Sequence, residues 1–384
     1  MSLMSGAKLN AKEFAPVRLP EPKSLWDLPT PALLIDLDGM EANLQKMADF
    51  YRDKKAGIRP HTKTHKCPLI AKKQLELGGT GICTAKVSEA EVMADSGIEK
   101  ILVTSPVVTP DKIARVIRLA ERSAEVHIVV DQPANVEDLN AAAEAARLKL
   151  GVYVDLNVGT DRTGIEMGEP AIKLIELIGK RSSLRLAGIQ AYGGHLQHKV
   201  GWKYRKHSSE DTLARALEVR HRAQKAGYDV PVFSVGGTGT YNVDCDIDGV
   251  TDVQVGSYLF MDVNYRNVGG KNGTVFDDFK PSLLVLATAI SQPVKGRITI
   301  DAGIKAFATD KEPPQLLEIQ GVNYSFGGDE HGILHLKDPS REVKLGDKVL
   351  LIASHCDPTV NLYDHYYPFR GETVEEVWPI AGRG

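Results

Sequence analysis

Lys63 lies in the run Arg59-Pro60-His61-Thr62-Lys63-Thr64-His65-Lys66, an amine among two further basic side chains and two imidazoles. Neighbouring positive charge disfavours an ammonium and lowers its pKa, and a lysine that forms a Schiff base needs that shift. A plainer reading is a solvated basic turn or an anion-binding loop. A second constellation is Ser354-His355-Cys356-Asp357. In extended chain, residues i and i+2 share a side, so His355 and Asp357 converge while Cys356 points away. One imidazole and one carboxylate can hold a divalent cation and leave positions for water or substrate. Asp329-Glu330-His331 is a further source of ligands, and a hydrogen-bonded surface pair is the simpler explanation of His-x-Asp. Two glycine-rich stretches, Gly236-Gly237-Thr238-Gly239-Thr240 and Gly256-Ser257-Tyr258, offer close backbone approach and hydroxyl donors, which suit a phosphate. Arg162 follows Asp161 and is either a fixed cation for a ligand or that aspartate's partner. Tyr192 can pack on a ligand ring or serve as a structural tyrosine, and the histidines of Gly193-Gly194-His195-Leu196-Gln197-His198 can act as acid or base.

The elements that must position these residues repeat along the chain. Strand-like runs recur near Ile58, at 81–83, 101–103, 126–130, 150–154, 186–190, 232–235 and 253–255. Helical patterns such as 88–94, 110–120, 134–146 and 210–226 separate them. Eight strands in helix-spaced alternation predict a parallel (β/α)₈ barrel. Barrel active sites lie at the C-terminal strand ends, with phosphate commonly bound after strands seven and eight. The two glycine loops fall at those two ends. Lys63 closes the first strand, which neighbours the eighth in a closed barrel. A reactive lysine beside a phosphate site describes pyridoxal 5'-phosphate held as a Schiff base. Beyond Gly273 the alternation stops, and runs at 283–290, 297–300, 332–336, 348–352 and 374–378 predict a mostly antiparallel β domain. The division expected is a barrel over 38–275, with 1–37 and 276–384 forming the β domain that carries His355 and Asp357.

Composition narrows the function classes. A net charge of -3 over 384 residues gives no reason to expect nucleic acid or an anionic membrane as partner. The four cysteines, Cys67, Cys83, Cys245 and Cys356, are scattered without Cys-x-x-Cys spacing, which argues against a zinc ribbon or disulfide framework and fits a reducing compartment. The first residues contain no apolar core of signal-peptide length, and no run approaches a membrane span, so a soluble cytoplasmic protein is expected.

Arg-Pro-His-x-Lys at 59–63, Lys86-Val87-Ser88-Glu89-Ala90, the two glycine loops, Phe260-Met261-Asp262 and His355-Cys356-Asp357-Pro358-Thr359 occur in that order. The chain thereby resembles, from about Leu28 to Pro379, the D-threonine aldolase group of fold-type III (alanine racemase-like) pyridoxal phosphate enzymes. That group includes D-3-hydroxyaspartate aldolases and is related to D-serine dehydratases. The resemblance implies that Lys63 is the Schiff-base lysine and that Tyr192, Gly236–Gly239 and Gly256–Tyr258 contact the cofactor. It implies that His355 and Asp357 bind a divalent metal, manganese or magnesium rather than zinc, and that His198 lies near the substrate. It further implies a homodimer whose site forms between one subunit's barrel and the other's β domain. The activity implied is retro-aldol cleavage of a D-β-hydroxy-α-amino acid to glycine and an aldehyde. The alternative is dehydration of D-serine or D-3-hydroxyaspartate to a 2-oxo acid and ammonia. Ala85, where many relatives have glutamine, and Asn264, where relatives often have aspartate, depart from the pattern.

Overall fold

The computed structural model describes residues 14–123 and 125–383. The expectations placed on residues 1–13, their share of the β domain and the lack of a leader, lie outside these. Eight parallel strands form the barrel: Gly57–Ile58, Ile82–Thr84, Ile101–Val103, Val126–Val130, Leu150–Asn157, Leu184–Ala191, Val232–Val235 and Asp252–Val253. The eighth pairs with the first in the register Asp252 to Gly57 and Val253 to Ile58. A bridge between His61 and Cys83 joins the first to the second, with the Cys83 amide donating to the Pro60 carbonyl at 2.8 Å. The ring is thus closed as the alternation predicts.

Period-two alternation explains how the strands hold two cores at once. Cys83, Leu102, Val129, Tyr153 and Ala187 form a cluster of their own. Their strand neighbours Ile82, Ile101, Val103, Ile128 and Val130 join the larger core with the helices. Helix Leu37–Tyr51 starts on Asp36, whose carboxylate accepts from the Gly39 amide, and buries Met40, Leu44, Met47 and Tyr51. Helices Val87–Asp95, Pro110–Arg122 and Pro133–Ala145 match their predicted patterns, whereas the last long helix begins at Trp202 rather than Glu210. Its first two turns bury the polar Arg205 and Ser209, which hydrophobic periodicity does not register.

The second sheet draws on both ends of the chain. Strand Ala32–Asp36 lies between Leu283–Val294, antiparallel, and His365–Arg370, parallel. The sheet is extended by Arg297–Ile300, Gly332–Leu336, Val322–Phe326 and Lys348–Ile352. Val17–Ser24 forms its outer edge against Thr373–Pro379. Pro20 and Pro22 are tolerated in that strand because an edge strand leaves amide positions unpaired. The two units meet where the barrel ends. Val263 and Asn264 amides donate to the carbonyls of Ala353 and Ser354 at 3.1 and 3.2 Å. The Tyr366 hydroxyl donates to the His65 carbonyl at 2.7 Å. No helix among the described residues is long and apolar enough to cross a membrane.

Candidate active site

Lys63 is carried on the short 3₁₀ turn Thr62–Thr64 that closes the first barrel strand. The basic neighbours expected to depress it are each disposed of elsewhere. Arg59 pairs with Asp252 at 2.9 Å inside the barrel, and Lys66 with Glu89 at 2.6 Å, both buried. His61 accepts from the Lys63 amide at Nδ1, so its Nε2–H faces the Thr104 hydroxyl at 3.1 Å. His65 accepts from Cys67 N at Nδ1 and donates from Nε2 to Gln74. Burial pushes His61 well down and His65 to about 4, so both rings are neutral. What remains beside Lys63 is the carboxylate of Asp357, with which its Nζ forms an ion pair. Burial would lower the lysine, but Asp357, and then Tyr192, outweigh it and raise the amine above its usual value. The expected depression is therefore corrected: the local positive charge is cancelled pair by pair, and a carboxylate remote in sequence sets the sign.

The glycine loops form a cradle next to this amine. The amides of Gly237, Thr238, Gly256 and Ser257 have no acceptor among the described residues. A narrow extension of the cavity is lined by these residues together with Lys63, Thr64, Tyr192 and Tyr265. Gly236 has φ +58°, and a Cβ there would strike the Asp244 carboxylate. A Cβ on Gly239 would collide with the Gln197 carbonyl. Of the two threonines, Thr240 is committed: its hydroxyl donates to Asp244 and accepts from Gln197. Thr238 accepts the Tyr258 amide at 3.0 Å, and its own proton is left for a ligand. The Tyr258 phenol turns into the core, accepting from Gln74 and packing edge-on to Phe279, so this residue shapes the loop and offers no hydroxyl to the cradle.

The main cavity, about 240 Å³, is lined by His61, Lys63, Arg162 and Tyr192 together with Gln190 and Gln254. Arg162 does not pair with Asp161, which instead accepts from Asn157 at 2.9 Å; its guanidinium lies 5.6 Å from the Tyr192 ring centroid. Sequence reasoning missed the polar floor. Gln254 donates to Gln190 and Ser234, and Gln190 donates to Asp155, a buried carboxylate that burial lifts to about 6. These side chains lie inside strand runs, where a single polar residue carries no pattern. Ala85 also lines the cavity. His198 is half-buried, with its ring tilted against Tyr265 at 4.7 Å and its Nδ1 3.0 Å from the Asn264 amide nitrogen. Burial, then the charges of Lys311, His355 and Lys63, bring it down to about 4.

His355 and Asp357 reach the site by a different geometry from that expected. They stand not on a strand but at the cap and in the first turn of the helix Cys356–Val360. Asp262 fixes that helix, accepting from Cys356 N at 2.9 Å and Tyr265 N at 2.8 Å. His355 Nδ1 is bonded to Asp310 at 2.8 Å, which leaves Nε2 as the free nitrogen. Burial alone would raise Asp357, yet Lys63 and His355 hold its carboxyl well below the usual carboxylate range. Its Oδ1 is buried without a hydrogen-bond partner. Asp329, Glu330 and His331 are exposed, Glu330 pairs with Lys305, and no group of three or more His, Cys, Asp or Glu side chains that could hold a metal forms among the described residues. The pair therefore stands without them. Lys63 and Asp357 meet within one chain, so the expectation that a second subunit brings this pair over the lysine is corrected. The docking of Ala353 and Ser354 on the loop after the eighth strand explains it.

The alanine racemase N-terminal domain family matches residues 35–264, the whole barrel, and a putative serine dehydratase domain matches residues 282–369. The class so defined is that of the alanine racemase-like, fold-type III pyridoxal phosphate enzymes. The chain is 35% identical over 361 residues to the 3-hydroxy-D-aspartate aldolase of Paracoccus denitrificans (strain Pd 1222), covering 93% of each. It is 34% identical over 372 residues to a D-threonine aldolase of an Arthrobacter species, covering 96% and 97%. The crystal structure of D-threonine aldolase from Filomicrobium marinum is similar with a TM-score of 0.89 and 38% identity, over 96% of this chain and 99% of that one. This chain belongs to the D-threonine aldolase group of that class. Its residues fit pyridoxal phosphate: a lysine amine opens on the cavity, and free amides line the narrow pocket beside it, on loops packed too closely against Asp244, Gln197 and Thr64 to admit side chains at their glycines.

Proposed function

We propose that the chain cleaves the Cα–Cβ bond of a D-β-hydroxy-α-amino acid, giving glycine and an aldehyde, with pyridoxal 5'-phosphate and a divalent cation, Mn²⁺ or Mg²⁺. The observation that carries this reading is the meeting of Lys63 with Asp357, whose other oxygen is buried and unpartnered. A cation fits there: Asp357 Oδ1 and His355 Nε2 are the free donors, and the Asp310 carboxylate orients the imidazole as metal-binding histidines are commonly oriented. One carboxylate and one imidazole, with the remaining positions left to water or substrate oxygens, suit Mn²⁺ or Mg²⁺.

Lys63 would supply the amine that holds the cofactor covalently, and the amides of Gly237, Thr238, Gly256 and Ser257 with the Thr238 hydroxyl would receive its phosphate. Arg162 and Tyr192 line the cavity beside Lys63 and would flank the bound cofactor. When bound, the cofactor draws off the electron pair left on Cα as the carbon–carbon bond breaks. His355 and Asp357 would hold a cation, which would make the β-hydroxyl more acidic. His198, neutral at pH 7, takes the hydroxyl proton. It bonds Asn264 through Nδ1, and with that amide turned to offer Oδ1 to Nδ1–H, Nε2 is left as the base. The gain from such a positioned base is about 10²–10⁴-fold. The four cysteines are free and buried, in keeping with a reducing, cytoplasmic setting. A homodimer is the working unit implied by the resemblance.

The match of residues 282–369 to a serine dehydratase domain favours a second reading, loss of the β-hydroxyl to give a 2-oxo acid and ammonia. Incubation with D-threonine and D-3-hydroxyaspartate decides between them. Glycine with aldehyde is the expected product, and stoichiometric ammonia would overturn the aldolase reading. EDTA should abolish turnover and Mn²⁺ restore it. Lys63→Ala should lose both the cofactor's visible absorbance and turnover; retained Schiff-base absorbance in that variant would sink the assignment of Lys63.

A further inference from the structure

Arg205 is the largest of the fully buried side chains, 1% exposed, and no carboxylate pairs with it among the described residues. Its guanidinium is held by carbonyls alone. Nε donates to Gly239 at 2.7 Å, Nη1 to Lys199 and Val268 at 2.7 and 3.1 Å, and Nη2 to Gly269 at 2.8 Å. Phe276 presents its ring 5.7 Å away. Four of five donors are thus satisfied by dipoles, while no carboxylate touches the charge; Tyr265 and Asp278 act on it only from a distance, and burial outweighs them. Burying such a charge is costly unless an opposite charge completes it. The first of the four acceptors is Gly239, in the same short turn as Thr238 and next to Gly237, whose amides are free, so the cation is bonded to the loop that carries them. The other three lie in the segments 199 and 268–269, which Gly201 N to Val268 O also ties together.

We propose that Arg205 is a positioning residue for the cofactor's phosphate: its buried charge, with no carboxylate in contact, is the fixed counter-charge by which the Gly237–Thr240 loop selects a dianionic phosphate. This rests on the reading of the loop as the phosphate site. The cation itself does not touch the phosphate; it acts through the loop and across low-dielectric protein, where a charge loses little of its reach. An arginine that merely stapled three loops would support every ligand of the cavity equally.

The test is absorbance titration of the cofactor-stripped full chain with pyridoxal 5'-phosphate and with pyridoxal, which lacks the phosphate. Arg205→Met should weaken pyridoxal phosphate about 10- to 100-fold, the order expected for losing one charge at this range, and leave pyridoxal within about 2-fold. Arg205→Lys, which keeps the charge, should recover most of the loss. Equal weakening of both ligands, or of neither, overturns the proposal. The wild-type holoenzyme supplies a check that needs no variant. The ³¹P resonance of the bound cofactor should stay that of the dianion below pH 6, where a free phosphomonoester takes up a proton, and titration near 6 would also overturn it. If the wild-type chain binds pyridoxal phosphate no better than pyridoxal, the reading of the loop fails instead.

Discussion

His198 and Asn264 are the residues at which this chain's chemistry is most its own. With Asn264 donating to Nδ1, the neutral imidazole carries its proton on Nε2 and offers a donor; only the turned amide makes Nε2 a base. An aspartate at 264 accepts only, so it would hold Nδ1–H and fix the basic tautomer. Asn264→Asp should therefore raise kcat, and His198→Ala should lower it about 100-fold, both with KM and the cofactor spectrum nearly unchanged. Steady-state kinetics on a D-β-hydroxy amino acid check this, and a His198→Ala variant with wild-type kcat would remove the imidazole from the reaction. At this scale the sequence pointed to residues that the structure gathers around one cavity, and it was a poor guide to their charge state. Lys63 was picked out by the charges around it, yet Arg59 and Lys66 are each neutralised by a carboxylate far along the chain, and Asp357 is farther still. Local spacing carries no record of such partners. Asp310, which orients His355, and Gln190 and Gln254, which floor the cavity, were missed for the same reason.

The element that most repays attention is the loop Gly236–Thr240, whose position in the barrel was legible because glycines and small hydroxyls follow the seventh strand. What holds it was not legible. Asp244 is fully buried and accepts from Ser209 at 2.6 Å and from Thr240, and burial lifts its pKa from 3.8 to about 6 despite those bonds. The folded chain keeps this proton where the unfolded chain has lost it. The group's contribution is thus fully present below about pH 4 and is lost as pH rises through about 6, a fall of about 3 kcal/mol. Asp244→Asn keeps the shape and removes the titration. Its stability relative to wild type should rise by that order between pH 4 and pH 7 in urea unfolding series. A parallel pair of pH curves would show that Asp244 carries no such shift. The long helix before this loop teaches a related lesson, since its true start at Trp202 is set by Arg205 and Ser209 turned inward, against the hydrophobic pattern.

At the scale of the molecule, the barrel was readable from eight repeats of one alternation, and most of the second sheet from strands that carry apolar alternation. Val322–Phe326 and His365–Arg370 were not, because polar and aromatic residues break their period. Least readable of all was how the two units join, since that depends on backbone pairing between Val263–Asn264 and Ala353–Ser354 and on one buried aspartate, Asp262. This joint brings Lys63 and Asp357 together within one chain. It can be tested without solving an assembly. Lys63→Ala and Asp357→Ala chains, each inactive alone, are unfolded together and refolded as a mixture. A site shared between chains would regain activity, about a quarter of wild type for random pairing of two-fold dimers. A site completed within one chain regains none, because every chain in the mixture lacks one of the two groups. Absence of complementation is the expected outcome, provided that a wild-type control refolds under the same conditions. Activity near a quarter would show that Asp357 crosses to a second subunit's lysine in the working enzyme.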